Sequence, residues 1–106
     1  MRVFELYFGR AIDGRGEVSD AEWDTFRNQV LIPNLPRGFT VLDGNGAWRN
    51  PRQQATTSEP TKILTVALPD TADSAAAIRR VRDAYDAAFH QITVGMTSHP
   101  ACGAFD

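Results

Sequence analysis

An alternating apolar segment at the N-terminus, two helical stretches with recognisable start signals and a glycine-broken hairpin between them predict an α+β fold of βαββαβ order. Such an order builds the ferredoxin-like sandwich, in which a four-stranded antiparallel sheet carries both helices on one face. A chain of 106 residues fits one domain, 1–106, with one core. The other face of the sheet is left for solvent, a partner or a ligand.

From Arg2 to Phe8 the residues Phe4, Leu6 and Phe8 alternate with Val3, Glu5 and Tyr7. This period of two predicts a half-buried strand whose core side is the Phe4, Leu6, Phe8 side. Gly9 opens a loop through Asp13, Gly14, Arg15 and Gly16. Ser19 to Glu22 then reads as a capping box, in which serine and glutamate each satisfy the other's backbone amide, and Val18 is placed to staple onto Trp23. Trp23, Phe26 and Val30 recur at helical spacing, and Pro33 and Pro36 end that helix.

The second strand is expected over Phe39 to Asp43. Asp43 to Gly46 reads as a bulge, because glycine tolerates positive φ, with the strand resuming through Trp48 and Arg49. The chain turns near Asn50 to Gln53 and returns through Thr57 to Glu59. Pro60 fits an edge or irregular position, and Ile63 to Leu68 forms the core of the third strand. A start signal over Asp70 to Ser74 precedes a helix with an apolar face of Ala77, Ile78, Val81, Ala84, Tyr85, Ala88 and Phe89. Arg79, Arg82, Asp83 and Asp86 read as a solvated face spaced for i,i+4 ion pairs. The last strand is expected from Ile92 to Thr97, followed by a tail from His99 to Asp106.

Eleven basic and thirteen acidic residues leave a net charge of −2 with no block of one sign, so neither a nucleic-acid nor an anionic-lipid footprint is present. Lone Cys102 excludes an intrachain disulfide and a cysteine-rich zinc cluster, and reads as a buried thiol. His90 suits a helix C-terminus and His99 falls in the tail; neither has metal-ligand spacing, so no metal is predicted. The glycines match no phosphate or dinucleotide fingerprint, and no cofactor is predicted. No apolar run approaches the roughly 20 residues of a membrane span. The N-terminus enters a strand at once, which predicts a cytoplasmic protein, or a periplasmic or envelope-associated one if an export signal has been removed.

Four segments together carry a resemblance: ELYFGR at 5–10, VSDAEW at 18–23, LDGNGAWR at 42–49, and Glu59 followed by KIL at 62–64. They resemble a family of small bacterial proteins defined as a domain of unknown function, some of them exported or lipoproteins. The resemblance covers most of the chain, with Thr61 standing where a serine is expected. It implies a bacterial or phage source and the same architecture, and it transfers no reaction.

By parity, Val3, Glu5, Tyr7, Glu59, Thr61, Ile63 and Thr65 belong to the open face, joined by Thr40, Leu42, Thr93, Gly95 and Thr97. Pairing sheet against sheet in a homodimer, with Val3, Tyr7, Leu42 and Ile63 in contact, would enclose a space for a small polar or aromatic molecule. Glu5, Tyr7, Arg49 and Glu59 form the candidate site. Two carboxylates, a phenol and a guanidinium suit ligand binding or cofactor-independent proton transfer or oxygenation, with Glu5 or Glu59 as base, Tyr7 as donor and Arg49 as anion stabiliser. The structural alternative is an Arg49–Glu59 pair bracing the hairpin. A further reading is a non-catalytic interaction module whose hairpin contacts a protein through Trp48 and Arg49.

Overall fold

The computed structural model describes residues 1–12, 14–50, 54–91 and 93–105, Asn50 through its backbone alone. Strands β1 (Arg2–Gly9), β2 (Ala11–Ile12) and β3 (Gly16–Glu17) precede helix α1 (Asp20–Phe26), which continues through a π-helical turn at Arg27–Leu31 into the short α2 (Ile32–Asn34). Then come β4 (Thr40–Asn50), β5 (Ala55–Leu68), α3 (Ala72–Phe89) and β6 (Gly95–Pro100). The main sheet has the order β4-β5-β1-β6 with every neighbour antiparallel. This is the ferredoxin-like arrangement, with β2 and β3 as an added two-stranded ribbon.

The core follows the alternation in β1. Phe4, Leu6 and Phe8, with Leu64, Val66 and Leu68 of β5, are buried beneath Trp23, Phe26, Ile78, Val81, Tyr85 and Phe89. Phe8 lies at the centre, its ring 5.3 Å from Trp23, 5.9 Å from Phe26 and 4.8 Å from Tyr85, all edge to face. Such pairs contribute roughly 0.5–1.5 kcal/mol each beyond burial. Tyr85 fits this apolar cluster because its hydroxyl donates to the Gly9 carbonyl at 2.7 Å. Burial raises its phenol above the ordinary range.

The capping box forms as expected: Ser19 Oγ accepts from the Glu22 amide, and Glu22 Oε1 accepts from the Ser19 amide, both at 3.1 Å. The Arg15 guanidinium, bidentate on Glu22, holds that carboxyl below its usual range. Thr71 caps α3 by accepting from the Ser74 amide.

Several expectations are corrected. The helix ends before Pro36 as expected but passes Pro33. Its π turn, in which the Ile32 amide donates to the Arg27 carbonyl, carries the chain through Pro33 to Asn34, where the side-chain amide donates to the Val30 carbonyl. There is no bulge at Asp43–Gly46, because β4 keeps one unbroken register against β5 from Thr40↔Thr65 to Asn50↔Ala55. Pro60 sits inside β5 yet costs no ladder bond, since it lies past the end of β1 and its carbonyl accepts from Arg10.

Gly9 ends β1 rather than opening a loop, and the loop itself contains the β2–β3 ribbon, with Asp13 outside the described residues. The last strand begins at Gly95, so Thr93 lies before it, His99 is paired with Val3, and Ile92 lies outside the described residues. The turn expected near Asn50 to Gln53 falls, at residues 51–53, outside them as well. Cys102 is exposed, not buried. On α3, the Arg82 guanidinium donates twice to the Val94 carbonyl, at 2.9 and 3.1 Å, and its charge acts favourably on Asp86 one turn on. Asp86 is half-buried, which pushes its carboxyl upward.

Two outcomes follow from this packing. Phe8→Ala should lower unfolding free energy by about 3–5 kcal/mol in urea titration, because the cavity it leaves is walled by three rings. Tyr85 keeps its proton when folded at pH values where the unfolded chain has lost it. Its stabilising contribution is therefore complete below about pH 10 and falls as pH rises toward the folded value. The urea midpoint of the wild type should drop above that pH more steeply than that of Tyr85→Phe.

Candidate functional site

Strand alternation brings Val3, Glu5 and Tyr7, Thr40 and Leu42, Glu59, Thr61, Ile63 and Thr65, and Gly95 and Thr97 to the face opposite the helices. Four glycines on this face let neighbouring side chains lie flat. A Cβ on Gly9 would come within 2.6 Å of Glu59 Oε1, one on Gly46 within 2.8 Å of Thr61 Oγ1, and one on Gly44 within 3.0 Å of Ile63 Cδ1. Tyr7 covers Gly95 at 3.5 Å. The glycines in LDGNGAWR thus make room on one side of a straight ribbon, where the sequence reading took them for a kink.

Beyond the end of β1 this face deepens into a cavity of about 660 Å³. Tyr7, Gly9, Gly46, Thr61 and Gly95 line it from the sheet, Trp48, Thr57 and Glu59 from the hairpin arm, and His90 and Gln91 from the end of α3. His90 caps that helix in the left-handed conformation (φ 52°), which turns the chain toward the cavity. A smaller apolar groove of about 390 Å³ lies between α1 and α3 and has no comparable convergence of polar groups.

A chain of hydrogen bonds runs through the open-face cavity. Trp48 Nε1–H donates to Glu59 Oε1 at 2.9 Å, the Ala11 amide donates to Glu59 Oε2 at 2.9 Å, and Gln91 Nε2 donates to the Ala11 carbonyl at 2.8 Å. The carboxylate therefore ties together the arm, the chain leaving β1 and the end of α3. Alongside, the Tyr7 hydroxyl donates to Glu5 Oε2 at 2.9 Å.

Of the four residues anticipated for a site, Tyr7 and Glu59 line the cavity and Glu5 joins it through the Tyr7 hydroxyl. Arg49 does not. It follows Trp48 in a regular strand, so it occupies the other face of the ribbon, and it pairs with Thr56 while Glu59 pairs with Gly46. Among the described residues there is no bracing Arg49–Glu59 pair, and the strand face that Arg49 occupies is not the one that lines the cavity. Among the interface candidates Val3, Leu42 and Ile63 share the open face, with Leu42 61% exposed, and Trp48 combines a bonded indole N–H with 46% exposure. Sequence reasoning missed Ala11, whose backbone does the work, and Gln91, which no motif marks. It also missed the glycine floor, although the spacing of two between Gly44 and Gly46 is a strand-face signal.

A family model described as "Protein of unknown function (DUF3574)" matches residues 4–105. The chain belongs to this family. No curated protein matches the DUF3574 chain in sequence. Two solved structures resemble it in fold: a phage SAM lyase in complex with S-methyl-5′-thioadenosine, with TM-score 0.71 and 12% identity over 92% of this chain and 79% of that one, and a phage SAM lyase in the apo state, with TM-score 0.67 and 10% identity over 92% and 78%.

The network predicts a specific outcome for Gly9→Ala. The new methyl displaces the Glu59 carboxylate, whose side chain can swing away, so the fold survives at a cost of about 1–2 kcal/mol while the Trp48 and Ala11 bonds are lost. Trp23 is 4% exposed and unaffected. A red shift of tryptophan emission with a modest drop in Tm is the expected reading.

Proposed function

We propose that this DUF3574 domain binds a small polar, aromatic molecule in the open-face cavity, with Trp48 and Tyr7 contacting its ring and Glu59 its polar groups. The observation that carries the reading is the hydrogen-bonded centre of the cavity. A carboxylate is fixed by two N–H donors at the base of a concave site of about 660 Å³, a size suited to a small ligand. Each oxygen of Glu59 accepts one bond and retains capacity for another, which suits a ligand hydroxyl or N–H.

The fold neighbour that holds S-methyl-5′-thioadenosine supports a nucleoside thioether as the first ligand to test. If chemistry accompanies binding, the carboxylates and phenol suit a cofactor-independent step. Tyr7, Leu42 and Ile63 with Val3 give the same face apolar contacts for a second copy, so the domain is also proposed to form a homodimer that covers it. The second reading, an interaction module, rests on the exposure of both faces of the arm at Ala47–Arg49 and Ala55–Ser58.

Isothermal titration with S-methyl-5′-thioadenosine should give saturable binding that Trp48→Ala abolishes with Tm retained. Absence of binding by the wild type counts against the nucleoside ligand. Native mass spectrometry should show a dimer; a bare monomer that a protein partner captures through Trp48 supports the second reading instead.

A further inference from the structure

We propose, resting on the reading above, that Glu59 makes the cavity selective for charge: it takes a ligand that combines an aromatic ring with a positive charge and turns away phosphorylated ones. The lining contains one carboxylate, Glu59, and neither lysine nor arginine among the described residues. Both donors that hold this carboxylate, the indole N–H and the Ala11 amide, are neutral, so its charge is fixed without being cancelled.

The nearest candidates for compensation are committed elsewhere. Arg10 donates to the Val18 carbonyl at 2.7 Å and to Asp20 at 2.8 Å. Lys62 lies on the helix side of the sheet, 2.6 Å from Asp43 and 5.7 Å from the centre of the Trp23 ring. Of the other titratable groups in the lining, the Tyr7 hydroxyl donates a hydrogen bond to Glu5, a second carboxylate, and His90, the C-cap of α3, makes no hydrogen bond to Glu59 among the described residues.

Geometry sharpens this field. Concave, partly apolar walls weaken solvent screening, so one uncompensated charge acts more strongly there than on an open surface. The Trp48 and Tyr7 rings add attraction of the same sign, since an aromatic face favours a cation. A phosphate would meet the Glu59 carboxylate with no guanidinium or ammonium between them. The ligand class this defines is a heteroaromatic monocation, such as a nucleoside sulfonium or an N-alkylated ring.

Two measurements test the inference. In the first, S-methyl-5′-thioadenosine, its S-methylated sulfonium and adenosine 5′-monophosphate are titrated against the protein. The sulfonium should bind on the order of tenfold more tightly than the thioether and the monophosphate on the order of tenfold more weakly. The preference should shrink with added salt and fall to about twofold in Glu59→Gln. Equal affinities, or a preference retained in Glu59→Gln, overturn it.

The second needs no specific ligand. Quenching of Trp48 emission by 1-methylnicotinamide, nicotinamide and nicotinate, each normalised to free N-acetyltryptophanamide, should rank cation over neutral over anion. Thr57→Lys, which sets a positive charge on the same face of the arm two residues from Glu59, should abolish that order. If no nucleoside binds but the ranking holds, the nucleoside reading fails and charge selection stands. If the three quenchers rank equally in the wild type, charge selection fails whatever the nucleosides do.

Discussion

The end of β1 at Gly9 is the point on which the molecule turns. From the helix side, the Tyr85 hydroxyl reaches the Gly9 carbonyl; from the open side, the Glu59 carboxylate lies in the space where a side chain would be. A single residue without a Cβ thus accepts the deepest polar group of the core and houses the central group of the cavity. The core and the site are not stacked layers joined by chance. They meet through one peptide, so the ring cluster around Phe8 that fixes Tyr85 also fixes the position of the strand end over which Glu59 lies.

The cavity is assembled from three segments far apart in sequence: the chain leaving β1, the arm of β4 and β5, and the end of α3. None of them offers a strong catalytic signature alone. Convergence comes from topology, because the β4-β5-β1 order sets the arm beside the exit of β1, and the left-handed cap at His90 brings Gln91 to Ala11. Backbone groups supply half of the polar contacts. Ala11 has no functional side chain, yet its N–H and carbonyl join Glu59 to Gln91.

Much of the fold was legible because it rests on local signals. Alternation in β1, the Ser19–Glu22 capping box and the apolar stripe of α3 are properties of neighbouring residues, and the ferredoxin-like order followed from their sequence. Parity likewise placed Glu5, Tyr7, Glu59 and Ile63 on one face. What failed were features decided by distant partners. Gly44 and Gly46 looked like a kink because the side chains that fill their places, Ile63 and Thr61, come from the neighbouring strand. Arg49 looked like part of the site because of its chemistry, while the unbroken register of the ribbon turned it to the other side. Pro33 looked like a stop because a π turn leaves no simple periodic trace.

The arm that carries Trp48 has a mechanical character unlike the rest of the sheet. Beyond the reach of β1 it is a two-stranded ribbon, exposed on both faces, and two-stranded ribbons are weakly stable by themselves. Among the described residues its ties to the chain leaving β1 are the Ala11 amide on Glu59 and the Arg10 amide on the Pro60 carbonyl, while the Trp48 bond to Glu59 is internal to the arm. Opening of this part costs less than global unfolding, so the outer wall of the cavity behaves as a hinged leaf on a rigid frame. On the proposed reading, a molecule held between Trp48 and the glycine floor would close that leaf on binding, and part of its binding energy would be spent on stilling the arm.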